Sequence, residues 1–305
     1  MTRTIGLIGA RGYAGREVVR LIEADPCYEL TLATSRGLAG KTVAEAFEGC
    51  EGTLTIEDIG PAEVAARRCD AYVLGLPNGL SAPLVDAIEA ESPASVVVDL
   101  SADWRSAAGW TYGLPELERE ALRGARRIAN PGCYATAATL ALWPVWRLFS
   151  GTPSAFGVSG YSGAGTTPGP KNDPERLRDN ILPYGFGGHG HQAEIARAVH
   201  HDVCFAPHVA PHFRGLIVTC TAPLRGPQDV ADLRRLYDEA YADSRVVRVQ
   251  DEPTEVRDVA NTPDAVVGGL AWHAPTGMLT VACALDNLLK GAASQAMENV
   301  GLAFE

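Results

Sequence analysis

The chain has 305 residues, of which 46% are hydrophobic and 21% charged, and its formal net charge is −11. These values are typical of a folded globular protein with one large or two smaller domains, and they exclude a disordered chain. The acidic balance argues against nucleic acid and anionic membranes as partners. No stretch reaches the ~18 consecutive apolar residues of a membrane span. The N-terminus runs directly into a strand pattern, so we expect no signal peptide and a cytoplasmic protein.

Seven cysteines are scattered through the sequence, and only three lysines occur, Lys41, Lys171 and Lys290. The odd number of cysteines and their wide spacing favour neither a disulfide framework nor a zinc ribbon. Arginine therefore carries most of the positive charge. An acidic protein that binds anionic ligands has to concentrate its cations locally, so individual arginines are of interest.

The first 130 residues alternate between short apolar strands and helices. The strand candidates are "TIGLIG" (4–9), "ELTLAT" (29–34), "AYVLGL" (71–76) and "SVVVDL" (95–100). Segments between them, such as "YAGREVVRLIEAD" and "SAPLVDAIEA", have apolar residues at helical spacing. Strands that are apolar on both faces and separated by helices predict a parallel sheet covered on both sides. At this point a single α/β domain without a nucleotide site remains an alternative.

From about residue 154 the strands outnumber the helices. The strand candidates here are "SAFGVSG", "RGLIVTCTAP" (214–223), and "AVVGGLAWH" and "GMLTVACAL" around the turn "APTG". An amphipathic helix with proline in its first turn is predicted over 227–242, and a last helix begins at 286. This pattern predicts a second, α+β domain with a mainly antiparallel sheet.

A glycine-rich turn joins the first strand to the first helix. Gly9, Gly12 and Gly15 have the spacing GxxGxxG, a variant of the dinucleotide-binding fingerprint. Such glycines let backbone N–H groups approach a pyrophosphate at a helix N-terminus. The second strand ends at Ser35-Arg36, without the carboxylate that NAD-binding folds place there. Hydroxyl and guanidinium groups suit a 2′-phosphate and favour NADP. The alternative for the glycines is a plain glycine-rich turn without a ligand, and the alternative for Arg36 is a solvated arginine in a loop.

Cys133 is predicted in the first turn of a helix, directly after Pro131-Gly132 and before a long Ala-rich apolar run. The unpaired N–H groups and the positive end of the helix dipole favour a thiolate there. Asn130 could add an amide hydrogen bond beside the sulfur. A cysteine is more often a small buried hydrophobe, which we expect of the other six. Cys133 is our candidate nucleophile.

The segment "GGHGHQAEI" supplies a candidate proton-transfer partner for the thiolate. His189 and His191 are predicted in a glycine-rich loop, with Glu194 inside the helix that follows. Because His191 and Glu194 are three residues apart, the carboxylate can orient the imidazole. The same pattern, HxHxxE, supplies two imidazoles and a carboxylate, and His208 and His212 follow further along the chain. These residues also allow a metal site. Two solvated loop histidines are the remaining alternative.

Two arginines mark candidate anion sites. Ser101 and Arg105 follow the strand "SVVVDL" and are predicted at the carboxyl edge of the sheet, where open α/β folds bind ligands. Arg214 begins a strand of the predicted second domain. Together, two arginines from two domains suit a substrate with two anionic groups. Taken singly, each is better explained as an ordinary ion-pairing arginine.

The chain closely resembles the N-acetyl-γ-glutamyl-phosphate reductases, NADPH-dependent enzymes of arginine biosynthesis, over nearly all of its length. The matching stretches are "GARGYAG", "TSRGLAGK", "DLSADWR", "YGLPEL", "NPGCYATAA", "GVSGYSGAGTTP", "KNDPERLRDN", "GHGHQAEI", "RGLIVT" and "DNLLKGAASQA". The run from "KNDP" to "GHGHQAEI" is similar to the branch shared with fungal bifunctional arginine enzymes.

The resemblance implies a fold and an assembly. The family fold is a Rossmann domain, completed by the last helix, around an α+β catalytic domain that also builds the oligomer. We therefore expect an NADP-binding Rossmann domain in 1–132 with the helix 286–305, and a catalytic, substrate-binding and oligomerisation domain in 133–285. The resemblance also implies a homo-oligomer, either a dimer or a tetramer.

The resemblance also assigns roles. The catalytic cysteine falls on Cys133, the acid/base histidine on His191, and Glu194 is the orienting carboxylate; no metal is expected. The residues expected to bind substrate are Ser101, Arg105, Asn130, His189 and Arg214. The residues expected to bind NADP(H) are Gly9, Arg11, Gly12, Tyr13, Ala14, Gly15, Ser35, Arg36, Pro77, Ser162, Gly163, Ala164, Gly165 and Asn287.

Four departures from the family pattern occur. Ala135 replaces the usual proline after "NPGCY", Asn78 replaces a frequent histidine, Pro263 follows Thr262 where asparagine is common, and Ser294 replaces a glycine. None removes a chemical group on which the assignment depends. Asn78 argues against a cofactor role for its own position.

The expected reaction is the reductive dephosphorylation of an acyl phosphate. Cys133 attacks the γ-acyl phosphate and phosphate leaves, the thioester accepts hydride from NADPH, and the semialdehyde is released as His191 returns a proton. The alternatives are a relative that acts on aspartyl phosphate or carrier-linked aminoadipyl phosphate, a zinc-dependent hydrolase that uses the histidine pair, and a catalytically silent NADP sensor.

Overall fold

The structure is a computed structural model and describes residues 2–305. The chain forms two compact units. The first unit comprises residues 2–131 together with Ala292–Glu305, and the second comprises Gly132–Gly291. No helix of residues 2–305 has the length and apolar character that a membrane crossing needs.

The first unit is a parallel sheet with helices. Its strands are β1 (Arg3–Ile8), β2 (Tyr28–Thr34), β3 (Ala71–Leu74), β4 (Val96–Asp99), β5 (Thr111–Tyr112) and β6 (Arg127–Ala129). Its helices are α1 (Tyr13–Ala24), α2 (Val43–Ala46), α3 (Pro61–Ala65), α4 (Ala82–Glu91), α5 (Pro115–Leu122) and, at the end of the chain, α11 (Ala293–Ala303). The strand order is β2-β1-β3-β4-β6-β5, and every pair is parallel.

Both faces of this sheet are covered, as predicted. Successive side chains of a strand point to opposite faces, so in β3 Ala71 and Val73 join the core that contains α1 and α11. Tyr72 and Leu74 join the core on the other face, which contains α3 and α4. The predicted Rossmann-type parallel sheet is confirmed. The short strands β5 and β6 were not predicted, because two or three residues carry no periodic signal.

The second unit contains a seven-stranded mixed sheet. Its strands are β7 (Ser154–Gly160), β8 (Leu182–Pro183), β9 (Cys204–Ala210), β10 (Leu216–Pro223), β11 (Val247–Val249), β12 (Ala265–His273) and β13 (Met278–Leu285). Its α-helices are α6 (Cys133–Leu142), α7 (Pro174–Leu177), α8 (Gly190–Ala198), α9 (Val230–Tyr241) and α10 (Val256–Val259), and short 3-10 helices occupy Trp143–Leu148 and Tyr161–Ala164. In the order β11-β12-β13-β10-β7-β9-β8, four of the six pairs are antiparallel, which confirms the predicted mainly antiparallel sheet.

Helix α6 is the centre of the second core. All of its residues after Cys133 are buried, and it packs in one cluster with α9 and the sheet. Its C-terminal carbonyls are satisfied by α9, because Tyr237 donates to Ala141 O and Tyr241 to Leu140 O, both at 2.6 Å. This contact fixes the helix that begins at Cys133.

Two predicted helices begin later than expected. Helix α9 starts at Val230 because the Asp229 carboxylate accepts from Ala231 N at 2.7 Å and caps it, which leaves the predicted first-turn proline outside. The last helix starts at Ala293 rather than at 286. At residue 286 the chain instead forms a turn, in which the Asp286 carboxylate accepts a hydrogen bond from Leu288 N at 2.8 Å. Residues 286–291 accordingly group with the second unit.

Candidate active site

The glycine turn after β1 is fixed by backbone contacts within the first unit. Gly9 has φ +91°, and a Cβ there would lie 2.5 Å from Gly75 O. The N–H groups of Gly9 and Ala10 donate to Thr34 O at 3.1 and 2.9 Å. The turn is thereby tied to the ends of β2 and β3, and only glycine fits position 9.

The other two glycines of the turn differ in their surroundings. A Cβ on Gly15 would lie 2.8 Å from Ala10 O, so this glycine lets α1 pack closely. At Gly12, the N-cap of α1, the nearest neighbour of a Cβ would be 3.9 Å away, and no side chain caps the helix. Tyr13 and Ala14 form the first turn, half-buried. The start of α1 is therefore open and offers backbone N–H groups, which fits a phosphate.

The turns after β2 and β3 lie at the same edge of the sheet as the glycine turn. Ser35 is half-buried and Arg36 exposed, and the Arg11 side chain lies against Gly37, with Nη1 3.5 Å from where a Cβ would be. Pro77 follows β3 and is exposed. Because strand order reverses between β1 and β3, this edge is where doubly wound folds bind nucleotides.

The residues after β4 form a hydrogen-bonded turn that begins at the buried Ser101. Ser101 N donates to Asp99 Oδ1 at 2.5 Å, and Ser101 Oγ accepts from Asp103 N at 3.1 Å. Burial raises the pKa of the fully buried Asp99 carboxyl. Asn78, one of the departures from the family pattern, accepts from Ala102 N at 3.0 Å. These contacts shape the turn that carries Arg105.

Arg105 and Asn130 are engaged within the first unit. Arg105 donates from Nε to Asn130 O at 2.9 Å and from Nη2 to Leu100 O at 3.0 Å. The side chain of Asn130 is 1% exposed; it donates to Ala292 O at 3.2 Å and accepts from Asn299 Nδ2 at 3.1 Å. The Asn130 amide thus holds the start of α11, in place of the hydrogen bond expected beside the sulfur.

Cys133 is the first residue of α6, which confirms its predicted position in a first turn. It is half-buried, and Gly132 is the N-cap without any side-chain cap. The Gly132 N–H instead donates to Glu194 Oε2 at 3.0 Å. Gly291 lies on the other side, where an added Cβ would be 2.6 Å from the Cys133 Cβ. Cys133 is thus the first residue of a helix whose start is held between Glu194 and Gly291. The N–H groups and dipole of a helix N-terminus favour a thiolate over a thiol.

The histidines lie at the start of α8 rather than in a loop before it. His189 is the N-cap and accepts from His191 N at 3.3 Å, so His191 is inside the first turn. His191 Nε2 lies 3.9 Å from Glu194 Oε1, and Glu194 is 7% exposed. The two oxygens of Glu194 therefore face different partners, Gly132 N beside the cysteine and the His191 imidazole. One buried carboxylate joins the two candidate catalytic residues.

Aromatic rings surround this cluster. Tyr134 lies with its ring 6.0 Å from that of His191 and donates to His208 O. Tyr184 lies 5.4 Å from the His189 ring. Burial and then the charge of Cys133 raise the pKa of the Tyr184 hydroxyl; burial also raises that of Tyr134. Tyr184 was not predicted from the sequence, because no spacing rule connects it to Cys133.

Arg214 and Asn287 are joined through the turn after β13. Arg214 Nε donates to Asp286 Oδ2 at 2.6 Å, and Asp286 is fully buried. Asn287 accepts from Gly215 N at 2.7 Å and donates to Ser162 Oγ at 2.9 Å. Asp286 and Gly291 were not predicted as site residues, although both lie in the quoted stretch "DNLLKGAASQA". This short turn contacts Arg214, Ser162 and Cys133.

The small-residue turn Ser162-Gly163-Ala164-Gly165 follows β7 in the second unit. Ser162 is buried, and Gly165 has φ +77° with open space where a Cβ would stand. At Gly160, just before the turn, a Cβ would lie 2.6 Å from Phe213 O, so the strand end approaches the residue before Arg214 closely. Among residues 2–305, no group of three histidine, cysteine or carboxylate side chains is arranged to hold a metal ion.

Comparison with known proteins covers both units. A family profile described as semialdehyde dehydrogenase, NAD binding domain, matches residues 4–125, and one described as semialdehyde dehydrogenase, dimerisation domain, matches 133–287. A Xanthomonas campestris pv. campestris protein named N-acetyl-gamma-glutamyl-phosphate reductase is 46% identical over 301 residues, with 99% of this chain and 95% of that protein covered. One of the same name from Stenotrophomonas maltophilia is 47% identical over 303 residues, with 99% and 96% covered.

Solved structures show the same fold at low identity. Aspartate semialdehyde dehydrogenase II of Vibrio cholerae, complexed with ASA, has a TM-score of 0.79 and 18% identity, and the match covers 99% of this chain and 98% of that one. Aspartate semialdehyde dehydrogenase of Candida albicans, solved with NADP, has a TM-score of 0.77 and 15% identity, with the same coverage. The fold of the parallel-sheet unit and that of the mixed-sheet unit thus both occur in solved structures.

Proposed function

The chain belongs to the semialdehyde dehydrogenase family, and from that membership we propose that it is an N-acetyl-γ-glutamyl-phosphate reductase. The proposed reaction reduces N-acetyl-γ-glutamyl phosphate with NADPH to N-acetylglutamate 5-semialdehyde and phosphate, as a step of arginine biosynthesis. The observation that carries the proposal is the contact of Glu194 with both Gly132 N, at 3.0 Å, and His191, at 3.9 Å. This contact couples a candidate nucleophile to a candidate acid/base group.

In the proposed mechanism Cys133 is the nucleophile. Its thiolate forms a C–S bond with the γ-carbonyl carbon, and the bond to the phosphate oxygen breaks, which releases phosphate and leaves a thioester. NADPH, when bound, supplies the hydride that reduces this thioester carbon. His191 protonates the resulting oxyanion, then takes that proton back as the C–S bond breaks, which gives the aldehyde and restores the thiolate.

Glu194 and the start of α6 support this chemistry. A carboxylate beside the imidazole stabilises the protonated form of His191 when it holds the transferred proton. The open N-terminus of α6 stabilises the sulfur as an anion both before attack and after collapse. The same buried carboxylate fixes the backbone at Gly132, so the position of the sulfur and that of the imidazole depend on one side chain.

The first unit supports NADP as the cofactor. The uncapped start of α1 at Gly12 leaves room that a Cβ would fill, which fits the pyrophosphate. Arg36 is exposed at the end of β2, and Arg11 lies against Gly37. Two guanidinium groups at the end of the second strand suit a 2′-phosphate. In the second unit, Ser162 and Asn287 are held together and remain proposed cofactor contacts.

The test is a steady-state assay in the oxidative direction, with N-acetylglutamate semialdehyde, NADP and phosphate. We expect phosphate-dependent formation of NADPH by the wild type and loss of it to background in Cys133→Ser. Cys204→Ser, an exposed cysteine of the same unit, is the matched control and should retain activity. Near-wild-type turnover by Cys133→Ser would refute the covalent mechanism. Higher kcat/KM with aspartate semialdehyde would instead assign the protein to a related acyl-phosphate substrate.

We also propose a homo-oligomer that forms through the outer face of the second sheet. Ala155 of β7 points into the core, whereas the next residue, Phe156, is 48% exposed and packs against His208, with 4.3 Å between ring centroids and 39° between ring planes. Phe186, also exposed, lies 5.7 Å from the same histidine. An exposed aromatic cluster of this kind is typical of a protein interface. Light scattering should show a smaller particle for Phe156→Glu than for the wild type, and an unchanged mass would refute this surface.

A further inference from the structure

We propose that Lys171, which lies over the ring of Tyr184 beside the cluster of Cys133, His189 and His191, binds an anionic oxygen group of the substrate. The inference rests on the proposed function, because it requires a substrate that carries phosphate and carboxylate groups. Lys171 lies in the stretch "KNDPERLRDN", which contains none of the residues proposed for catalysis, substrate binding or cofactor binding.

Contacts within the second unit place Lys171 beside this cluster. Its Nζ lies 4.5 Å from the centroid of the Tyr184 ring. The Tyr184 ring lies 5.4 Å from that of His189, which in turn lies 4.6 Å from that of His191. One aromatic ring, that of Tyr184, therefore lies between Lys171 and His189, and His189 lies directly beside His191.

The ammonium group of Lys171 is not neutralised by a carboxylate. The side chain is exposed, and among residues 2–305 it forms no salt bridge. The neighbouring acids have other partners, since Asp173 accepts from Glu175 N at 3.0 Å and Glu175 pairs with Arg178 at 2.6 Å. A cation–π contact positions an ammonium over a ring without cancelling its charge. Lys171 thus keeps a full positive charge for a ligand.

The segment that carries Lys171 is tied to the turn after β7. The side chain of the next residue, Asn172, donates to Gly165 O at 2.9 Å and to Thr167 O at 2.8 Å. It also accepts from Gly169 N at 2.8 Å. The backbone around Lys171 is therefore folded on the small-residue turn, and the cation is held in place rather than on a free loop.

The two arginines predicted to bind the substrate anions differ from Lys171. Arg214 is paired at 2.6 Å with the buried Asp286, so that pair carries no net charge. Arg105 belongs to the first unit and donates to the main-chain carbonyls of Asn130 and Leu100. A doubly anionic substrate gains most from a cation that the protein has not already neutralised. Lys171 meets that requirement in the second unit.

The experiment compares Lys171→Gln and Lys171→Arg with the wild type in the same assay. For Lys171→Gln we expect a rise of about ten-fold or more in the KM of one anionic substrate, because a charged hydrogen bond is lost. We expect kcat and the KM of NADP to change by less than about two-fold. A raised KM for inorganic phosphate assigns Lys171 to the phosphoryl group, and a raised KM for the semialdehyde assigns it to the carboxylate. Lys171→Arg should recover most of the loss.

Arg178→Gln is the matched control, since it removes one positive charge from the same segment at an exposed, ion-paired position. Equal KM effects in the control, an unchanged KM for both anions, or a fall in kcat alone would overturn the role of Lys171. With an active wild type these outcomes leave the proposed function intact. A wild type that fails to turn over the semialdehyde refutes the proposed function, and with it this inference.

Discussion

In the first unit the proposed cofactor groups lie in turns that directly follow parallel strands, whereas in the second unit the proposed catalytic groups come from segments far apart in the chain. The glycine turn, Ser35-Arg36 and Pro77 come after β1, β2 and β3. Cys133, His191 and Gly291 come from three separate segments, joined by contacts such as that between Gly132 and Glu194, 62 residues apart.

The two proposed sites therefore differ in what fixes the positions of their residues. Parallel strands bring their carboxyl ends to one edge whatever side chains follow them, so the first site depends mainly on backbone geometry. In the second unit one buried carboxylate and one glycine fix the position of the nucleophile. Substitutions at these two positions should therefore act on turnover, and substitutions in the cofactor-binding turns of the first unit on cofactor affinity.

The largest effect is expected from Glu194→Gln. An amide still accepts from Gly132 N but does not stabilise a protonated His191, so kcat should fall by about a hundred-fold while the KM of NADP is unchanged. Steady-state kinetics at several pH values measure this. Glu17→Gln is the matched control, because Glu17 of the first unit is similarly buried and lies near a basic side chain three residues away, that of Arg20. Wild-type kcat in Glu194→Gln would contradict the role of this carboxylate.

A smaller loss is expected from Gly291→Ala. The added Cβ would lie 2.6 Å from the Cys133 Cβ and 2.7 Å from Asn287 O, so the start of α6 has to shift. A displacement of a nucleophile lowers kcat by about ten-fold or more. Both kcat and the rate of alkylation of Cys133 by iodoacetamide should change. Gly188→Ala, where a Cβ would meet nothing within 4 Å, is the control; if the two variants behave alike, close packing at Gly291 does not position the sulfur.

The smallest effect is expected from Arg36→Ser in the first unit. The loss of one exposed guanidinium should raise the KM of NADP by about ten-fold, since a charged contact with the 2′-phosphate disappears. Neither kcat nor the KM of NAD should change, because NAD lacks that phosphate. Parallel measurements with both cofactors provide an internal control. An equal change with NAD and NADP would show that Arg36 acts on the fold and not on the phosphate.

The alternating pattern of strands and helices was enough to predict the parallel sheet, the mainly antiparallel sheet and the helix that begins at Cys133. It did not predict β9, a strand that carries Pro207 and pairs with β7. Nor did it place the start of the last helix, which depends on the Asp286 turn. The strand depends on a distant pairing partner and the helix start on a side-chain hydrogen bond in a turn, and apolar periodicity carries information about neither.

For the proposed site, the sequence by itself determined the residue types and their local settings: glycines at the start of α1, a cysteine at the start of α6, and His191 three residues before Glu194. Only the tertiary structure decided which groups meet. It joined Glu194 to Gly132, placed Gly291 against Cys133, neutralised Arg214 with Asp286, and left the charge of Lys171 available over Tyr184. Turns and helix starts follow from the conformational preferences of adjacent residues. Contacts between distant residues follow from strand pairing and core packing, which require the whole chain to fold.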